Sequence, residues 1–396
     1  MTTPTAISPA PVLMPRSLRQ TAIGILVVGH LLVAACALAD LDRFFANWLV
    51  LFVFAATIGI GALFLVALEY VVNARWSIPF RRLSEHLAGL IPVSLLLAIP
   101  LFLGMHHLYE WTHADVVAAD PILTQKSAYL NIPFFAVRFA LYYLIWLLFY
   151  RLFTRLSQEQ DRSGDEALTR RGIKLAPPFI ILFAFTMSFA AIDWMMSITP
   201  HWFSTMFGPS AAVGGIVGGL ALLTLVSAQL KIQGMLPERI GPDHFYNLGA
   251  LLFGLNTLWT YMSFSEFMLI WYSNLPLEMT WYLQRQEHGW SLVTLLLVFG
   301  RFVIPFLALL SRPSKMNLNR LRWVSILLLA TYGLHLYWVV LPGIPHLHDG
   351  PFSWMDLGFP LTAIGYGLFA WIWRSSRAAL VAARDPRLES GLSFHL

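Results

Sequence analysis

Ala191-Ile192-Asp193-Trp194-Met195-Met196-Ser197-Ile198-Thr199-Pro200-His201-Trp202-Phe203-Ser204-Thr205-Met206-Phe207-Gly208 closes an apolar run that begins near Leu175. The run is long enough to cross a bilayer, so Asp193 falls inside a membrane-spanning segment with no Lys or Arg close by in sequence. A carboxylate there is disfavoured by about 2.5–3.5 kcal/mol on insertion scales, and such groups persist where they face a cavity, a partner or a proton path. Pro200 ends the helix and leaves His201, Trp202 and Ser204 as a polar, aromatic mouth at the membrane surface. A buried acid beneath a histidine-bearing mouth suits proton exchange with a membrane-dissolved substrate.

The rest of the chain has the same character. Of 396 residues, 58% are hydrophobic and 12% charged, and the mean hydropathy is +0.66. Soluble domains carry about 25% charged residues, so this is a polytopic membrane protein. The pI near 9.4 does not point to nucleic acid, because the cations are spread through loops between apolar runs, which is a topology signal. One cysteine, Cys36, leaves no internal disulfide, zinc site or iron–sulfur cluster for this chain to build alone.

A bilayer core of roughly 30 Å takes about 20 apolar residues of helix. Ten runs qualify: 20–39, 48–72, 86–105, 132–153, 175–198, 210–230, 245–272, 289–310, 321–341 and 355–373. The expected fold is all-α, a single polytopic membrane domain over 20–373 with tails at 1–19 and 374–396. Of the 26 Lys and Arg, 21 fall on the side of the N-terminal tail and only Arg43, Lys126 and Arg285 on the other; Arg138 and Arg301 lie within spans. That bias puts both termini in the cytoplasm.

Arg138 and Arg301 also suggest a duplication. Arg138 opens Arg-Phe-Ala-Leu-Tyr-Tyr-Leu in span four and Arg301 opens Arg-Phe-Val-Ile-Pro-Phe-Leu in span eight. Spans two and six both begin small and glycine-rich, at Ala55-Ala56-Thr57-Ile58-Gly59-Ile60-Gly61 and Ala211-Ala212-Val213-Gly214-Gly215. Two four-helix units, spans two to five (about 48–198) and six to nine (about 210–341), would share one orientation; chance likeness among Leu, Phe and Gly is the alternative. At the N-terminus, Val33-Ala34-Ala35-Cys36 resembles a lipoprotein signal and Ala37-Leu38-Ala39 a signal-peptidase site. Retention is favoured, because the run is long enough to span and the next span follows closely.

The polar groups that could carry chemistry gather towards the outer side. Asp193 and Glu266 end outward-running spans, His106 and His107 end span three, and Arg138 lies about two turns down span four. Such a set could take the protons of a quinol head group, flanked by Trp111, Trp194 and Trp202. The bland alternatives are interfacial anchors for the histidines and tryptophans, and a neutralised structural pair for Arg138 with Asp193. Deeper lie Arg301, His335, His30, Asn256, Thr257 and Tyr261, with Glu69 near the inner end of span two. These could relay protons or be scattered interhelical hydrogen bonds. A haem between His30 and His335 rests on their depth alone. The segment 154–174 reads as a solvated cytoplasmic connection.

Several motifs together resemble a known family. They are Asp193-Trp194-Met195-Met196-Ser197 with Pro200-His201-Trp202-Phe203-Ser204-Thr205, Asp243-His244-Phe245-Tyr246-Asn247-Leu248-Gly249, Ser263-Phe264-Ser265-Glu266-Phe267, Trp271-Tyr272-Ser273-Asn274-Leu275-Pro276, and Trp76-Ser77-Ile78-Pro79-Phe80-Arg81-Arg82. Over about residues 45 to 375 the chain resembles the polysulfide-reductase-like (NrfD-like) membrane subunits, most closely the ActF-type subunit of bacterial alternative complex III, a quinol:cytochrome c oxidoreductase. The resemblance implies ten helices including two four-helix bundles. It also implies a bacterial inner-membrane complex whose multihaem cytochrome c subunit, iron–sulfur subunit and second ten-helix subunit handle the electrons. In that family the sister subunit is usually assigned the quinol pocket, and this type is associated with a proposed proton path and with assembly. The expectation is therefore a respiratory-complex subunit with no cofactor of its own, quinol as a possible ligand, no nucleic-acid partner, and proton transfer by Asp193 and Glu266. The rivals are a secondary transporter and a non-catalytic scaffold.

Overall fold

Residues 11, 13–274, 276–345, 347 and 350–396 are described by a computed structural model, without the side chains of 276 and 277. Residues 1–10 and 12 of the tail, and Leu275 of the Trp271–Pro276 motif, lie outside the described residues. Among those described there is no strand, and nine helices are long and apolar enough to cross a membrane. They are α1 (Arg16–Ala39), α2 (Leu41–Val72), α3 (Arg75–Leu103), α4 (Ile132–Ser163), α5 (Glu166–Ile198), α6 (Phe207–Ile232), α8 (Trp290–Ala308), α9 (Leu318–Gly343) and α10 (Trp354–Ser375). Between α6 and α8 lies α7 (Pro242–Ser273), a helix of 32 residues. It has the length to span, but Asn256, Thr257, Thr260, Ser263, Ser265 and Glu266 dilute its apolar character, and it is not among the nine. The chain is a multi-pass membrane protein: Leu141, Leu144 and Leu148 on α4, Ile181 and Phe185 on α5, and Leu292, Leu295 and Phe299 on α8 form exposed apolar stripes suited to a lipid environment.

Local sequence explains where the helices begin and end. Asp40 caps α2 by accepting the Arg43 N–H at 2.9 Å, and Asn73 ends it in the left-handed region. Asn131 caps α4 through the Phe134 N–H. The segment 154–174 is not a loop. α4 runs on to Ser163, Gly164 turns the chain at φ +69°, and Asp165 caps α5 at once. Its Arg, Gln, Glu and Leu residues are good helix formers, and Gln160 reaches across to the Thr169 hydroxyl. At the far end of α5 the regular helix stops at Trp194, ahead of Pro200, where the Ser197 hydroxyl takes the Asp193 carbonyl at 2.5 Å.

α2 is the most buried of the nine and the others arrange around it. It packs against α3 and α5, while α6 packs against α7 and α9; α4 lies on α5, and α8 on α9. α2 and α6 cross where a Cβ on Gly61 would stand 2.2 Å from the Gly215 carbonyl oxygen, so only glycine permits that approach. α1 and α10 pair at the edge, with Gly29 against Thr362 and Gly358 against Val33. The segment after α10 is no free tail: Asp385, Leu388 and Leu392 are buried against α2 and the start of α3.

Candidate functional site

Asp193 is 1% exposed and fully engaged. Arg138 grips it as a fork, Nε to Oδ2 and Nη2 to Oδ1, each at 2.9 Å. The Tyr142 hydroxyl, one turn along α4, donates to Oδ2 at 2.8 Å. Arg138 is in turn held by the Tyr129 carbonyl at 2.9 Å and capped by the Tyr129 and Phe134 rings, 3.8 and 4.4 Å from its guanidinium carbon. A bidentate, charge-assisted pair of this kind fixes geometry as well as charge. Next to it, Trp194 packs among Phe52, Phe139, Trp146 and the Tyr142–Tyr143 pair. Its ring lines a cavity of about 10 Å³ with Leu49, Phe52, Met105, Tyr109 and Phe139. That is room for about one water.

The mouth after α5 joins a second acid. Lys126 donates to the Pro200 carbonyl and His201 bonds Asp120, both at 2.5 Å. Desolvation pulls the Asp120 carboxyl up, but the Ile122 N–H and His201 outweigh it and hold it below the ordinary value. Trp202 stacks on Trp281 of the short helix Pro276–Gln284, centroids 4.5 Å apart. Ser204 reaches Glu266 on α7, which also lies near Tyr282. Glu266 forms no ion pair among the described residues, and its Oε1 is buried with no hydrogen-bond partner. A carboxyl with a free oxygen and no counter-cation can accept or release a proton without first breaking a salt bridge. Asp193 cannot.

The other candidates are dispersed. His106 is exposed and bonds Thr112, with its carbonyl taken by His113; His107 stacks on Phe45 and bonds Asp42 at 2.6 Å. Neither histidine reaches Asp193. Tyr261 is 66% exposed on the outside of α7. Asn256 donates to the Arg301 carbonyl at 2.8 Å, and His335 lies edge-on to Trp259 at 4.9 Å. His30 bonds Leu26 and Tyr366, so it and His335 are not aimed at a common void. Glu69 is tied into ion pairs at the opposite end of the bundle, with Arg387 at 3.0 Å and Arg81 at 3.4 Å. Arg81 also holds Asp385 at 2.5 Å, and Arg82 holds Asp161 at 2.7 Å and Glu85 at 3.0 Å.

Five arginines counted from sequence as loop cations are interior, and the deepest, Arg81, Arg82 and Arg285, are 2%, 1% and 0% exposed, with Arg374 and Arg43 at 7% and 8%. Of these deepest three, Arg81 and Arg82 are buried beside acids and Arg285 is not. Arg285 is buried on carbonyls alone, those of Trp281, Val339 and Trp338 at 2.7, 2.7 and 3.0 Å, with its guanidinium on the Trp281 ring. Sequence reasoning missed Tyr142 as the second side-chain partner of Asp193, although its spacing of four from Arg138 on one helix was the available signal. No model of a known protein family matches the chain, and no curated protein matches it either.

Proposed function

We propose that this chain is an integral subunit of a bacterial quinol-oxidising respiratory complex of the alternative complex III type, in which it handles protons near the face that carries the mouth. On this reading α7 completes ten spans, α2–α5 and α6–α9 form two four-helix bundles, and both termini are cytoplasmic. The matching contacts of α2 with α3 and α5, and of α6 with α7 and α9, support the two-bundle arrangement. The electrons belong to partners: a multihaem cytochrome c subunit, an iron–sulfur subunit and a sister ten-helix subunit.

The observation that carries the proton role is the Glu266 carboxyl, unpaired at Oε1 and beside Ser204 in the mouth. The small size of the cavity beside Trp194 supports a proton role over a head-group pocket at Asp193. Glu266→Gln in the intact complex keeps shape and removes the exchangeable proton. Quinol:cytochrome c turnover should fall by about 10²-fold, the lower range for a general acid–base group, or the protons moved per electron in proteoliposomes should fall below the wild-type ratio. Both quantities unchanged would sink the assignment. A secondary transporter is the second reading, favoured by the polar residues Asn256 and Arg301 deep between α7, α8 and α9. It predicts transport by the purified chain alone, without haem-bearing partners.

A further inference from the structure

Arg301 is 1% exposed, and none of its three guanidinium nitrogens has a hydrogen-bond partner among the described residues. Its guanidinium carbon lies 3.8 Å from the centre of the Trp259 ring and 4.9 Å from that of Tyr332. Around it are further unpaired groups: the indole N–H of Trp259 and Nδ1 of His335. The same turn of α8, Val298–Val303, is π-helical, a local widening that recurs at functional sites. Gly214 on α6 lets the Trp259 and Tyr332 rings approach closely, since a Cβ there would come within 3.3 Å of the Trp259 Nε1.

The register of the two halves says what is missing. Arg138 and Arg301 each open an Arg-Phe pair in the third helix of their unit. In the following helix, Asp193 precedes Pro200 by seven residues and His335 precedes Pro342 by seven. Asp193 is the anion that Arg138 grips. The corresponding position opposite Arg301 is a histidine, which brings no negative charge. Arg285 shows the other solution this protein uses, three backbone carbonyls, and Arg301 has none of those either.

We propose that Arg301, with the N–H groups of Trp259 and His335, binds a small monovalent anion of the halide class, which takes in the second half the place that the Asp193 carboxylate holds in the first. Donors dominate the site, so an acceptor-only ligand fits it. Water would satisfy hydrogen bonds but leave the charge uncompensated, and an isolated buried cation is strongly disfavoured. An anion answers both demands. The inference stands apart from the quinol reading, because it concerns the charge balance of the second half whatever the complex oxidises.

The test uses bromide against gluconate at equal ionic strength, with the full chain and its co-purifying partners in detergent. Ligand binding to the folded state shifts the folded-to-unfolded ratio by a factor of 1 + [L]/Kd, about a hundredfold at 100 times Kd. The unfolding midpoint of the wild type should therefore rise with bromide concentration and not with gluconate. Bromide should also give an anomalous-scattering peak beside Arg301. His335→Asp installs in the second half the carboxylate of the first, so this variant should fold, match or exceed the wild type without bromide, and lose the bromide response. Arg301→Gln should likewise be indifferent to bromide. Equal wild-type midpoints in the two salts would overturn the proposal, and so would a bromide response that survives unchanged in His335→Asp, the variant that decides if Arg301→Gln fails to fold.

Discussion

Truncating Asp193 to alanine strands a guanidinium that is itself only 7% exposed. With charge centres about 4 Å apart and an effective dielectric constant near 20, the lost attraction is about 4 kcal/mol. Breaking one partner out of a buried pair costs about 3–5 kcal/mol by mutation, because the survivor stays buried and unpaired. Asp193→Ala and Arg138→Met should each destabilise the chain by about that amount. The double variant removes both charges and should fall short of the sum by about 2 kcal/mol or more. Tyr142→Phe removes one hydrogen bond to a charged acceptor and should cost about 1.5–3 kcal/mol, less than loss of Asp193. Reversible unfolding by sodium dodecyl sulfate in mixed micelles, followed by tryptophan fluorescence and checked by circular dichroism, measures all four. If the two single effects add to the double within about 0.5 kcal/mol, the fork at 2.9 Å contributes no coupling and the account of the site fails.

The remaining expectations follow from single contacts. Gly61→Ala would place a methyl 2.2 Å from the Gly215 carbonyl oxygen and should destabilise the α2–α6 crossing by about 1–3 kcal/mol, whereas Gly24→Ala on α1, with nothing within 4 Å, should be neutral or slightly stabilising in the same unfolding assay. Burial pushes the Asp385 carboxyl up, but Arg81 and then Arg387 outweigh it and leave it below the ordinary value. A depressed carboxyl contributes stability that is present above its unfolded pKa of about 3.9 and is lost as pH falls through the folded value. A pH series of unfolding midpoints should therefore drop more steeply below about pH 4 for wild type than for Asp385→Asn. Tyr261→Phe, on an exposed face, should leave stability within about 0.5 kcal/mol and turnover unaltered; a tenfold loss of turnover would return Tyr261 to the proton path.

Helix positions were legible because hydropathy reports transfer from water to lipid, and each apolar run makes that choice for itself. α7 marks where the signal thins: the helix forms as its neighbours do, but its hydroxyls, amide and Glu266 lower its apolarity. What the sequence hid is pairing at long range. Nothing near Arg81 announces that Asp385, some 300 residues on, will fold back onto it, or that a segment resembling a tail will be packed by Leu388 and Leu392. The bias of Lys and Arg towards one side counts these residues without knowing that Arg81, Arg82 and Arg285 leave the surface. Asp193 was conspicuous as a charge in an apolar run, and so was Arg138. Whether they met, and how many acceptor sites remained, depended on the rotation of α4 about its axis, which periodicity in a uniformly apolar helix does not encode.

Arg138, Arg285 and Arg301 show why an intramembrane charge is a question and not an answer. One is matched by a carboxylate, one by three carbonyls, and one by nothing among the described residues. The first two are closed arrangements, and moving a proton through either means breaking a charge-assisted bond. Conspicuous as it is in sequence, Asp193 is bound on both carboxylate oxygens by Arg138 and on one also by Tyr142, an arrangement that suits a structural pair better than a relay. Among the described residues Glu266 keeps a bare oxygen and Arg301 bare nitrogens. The proposal accordingly places proton traffic at Glu266 and makes Asp193→Asn a stability variant first. Its loss of turnover should track the fraction unfolded, and that of Glu266→Gln should not.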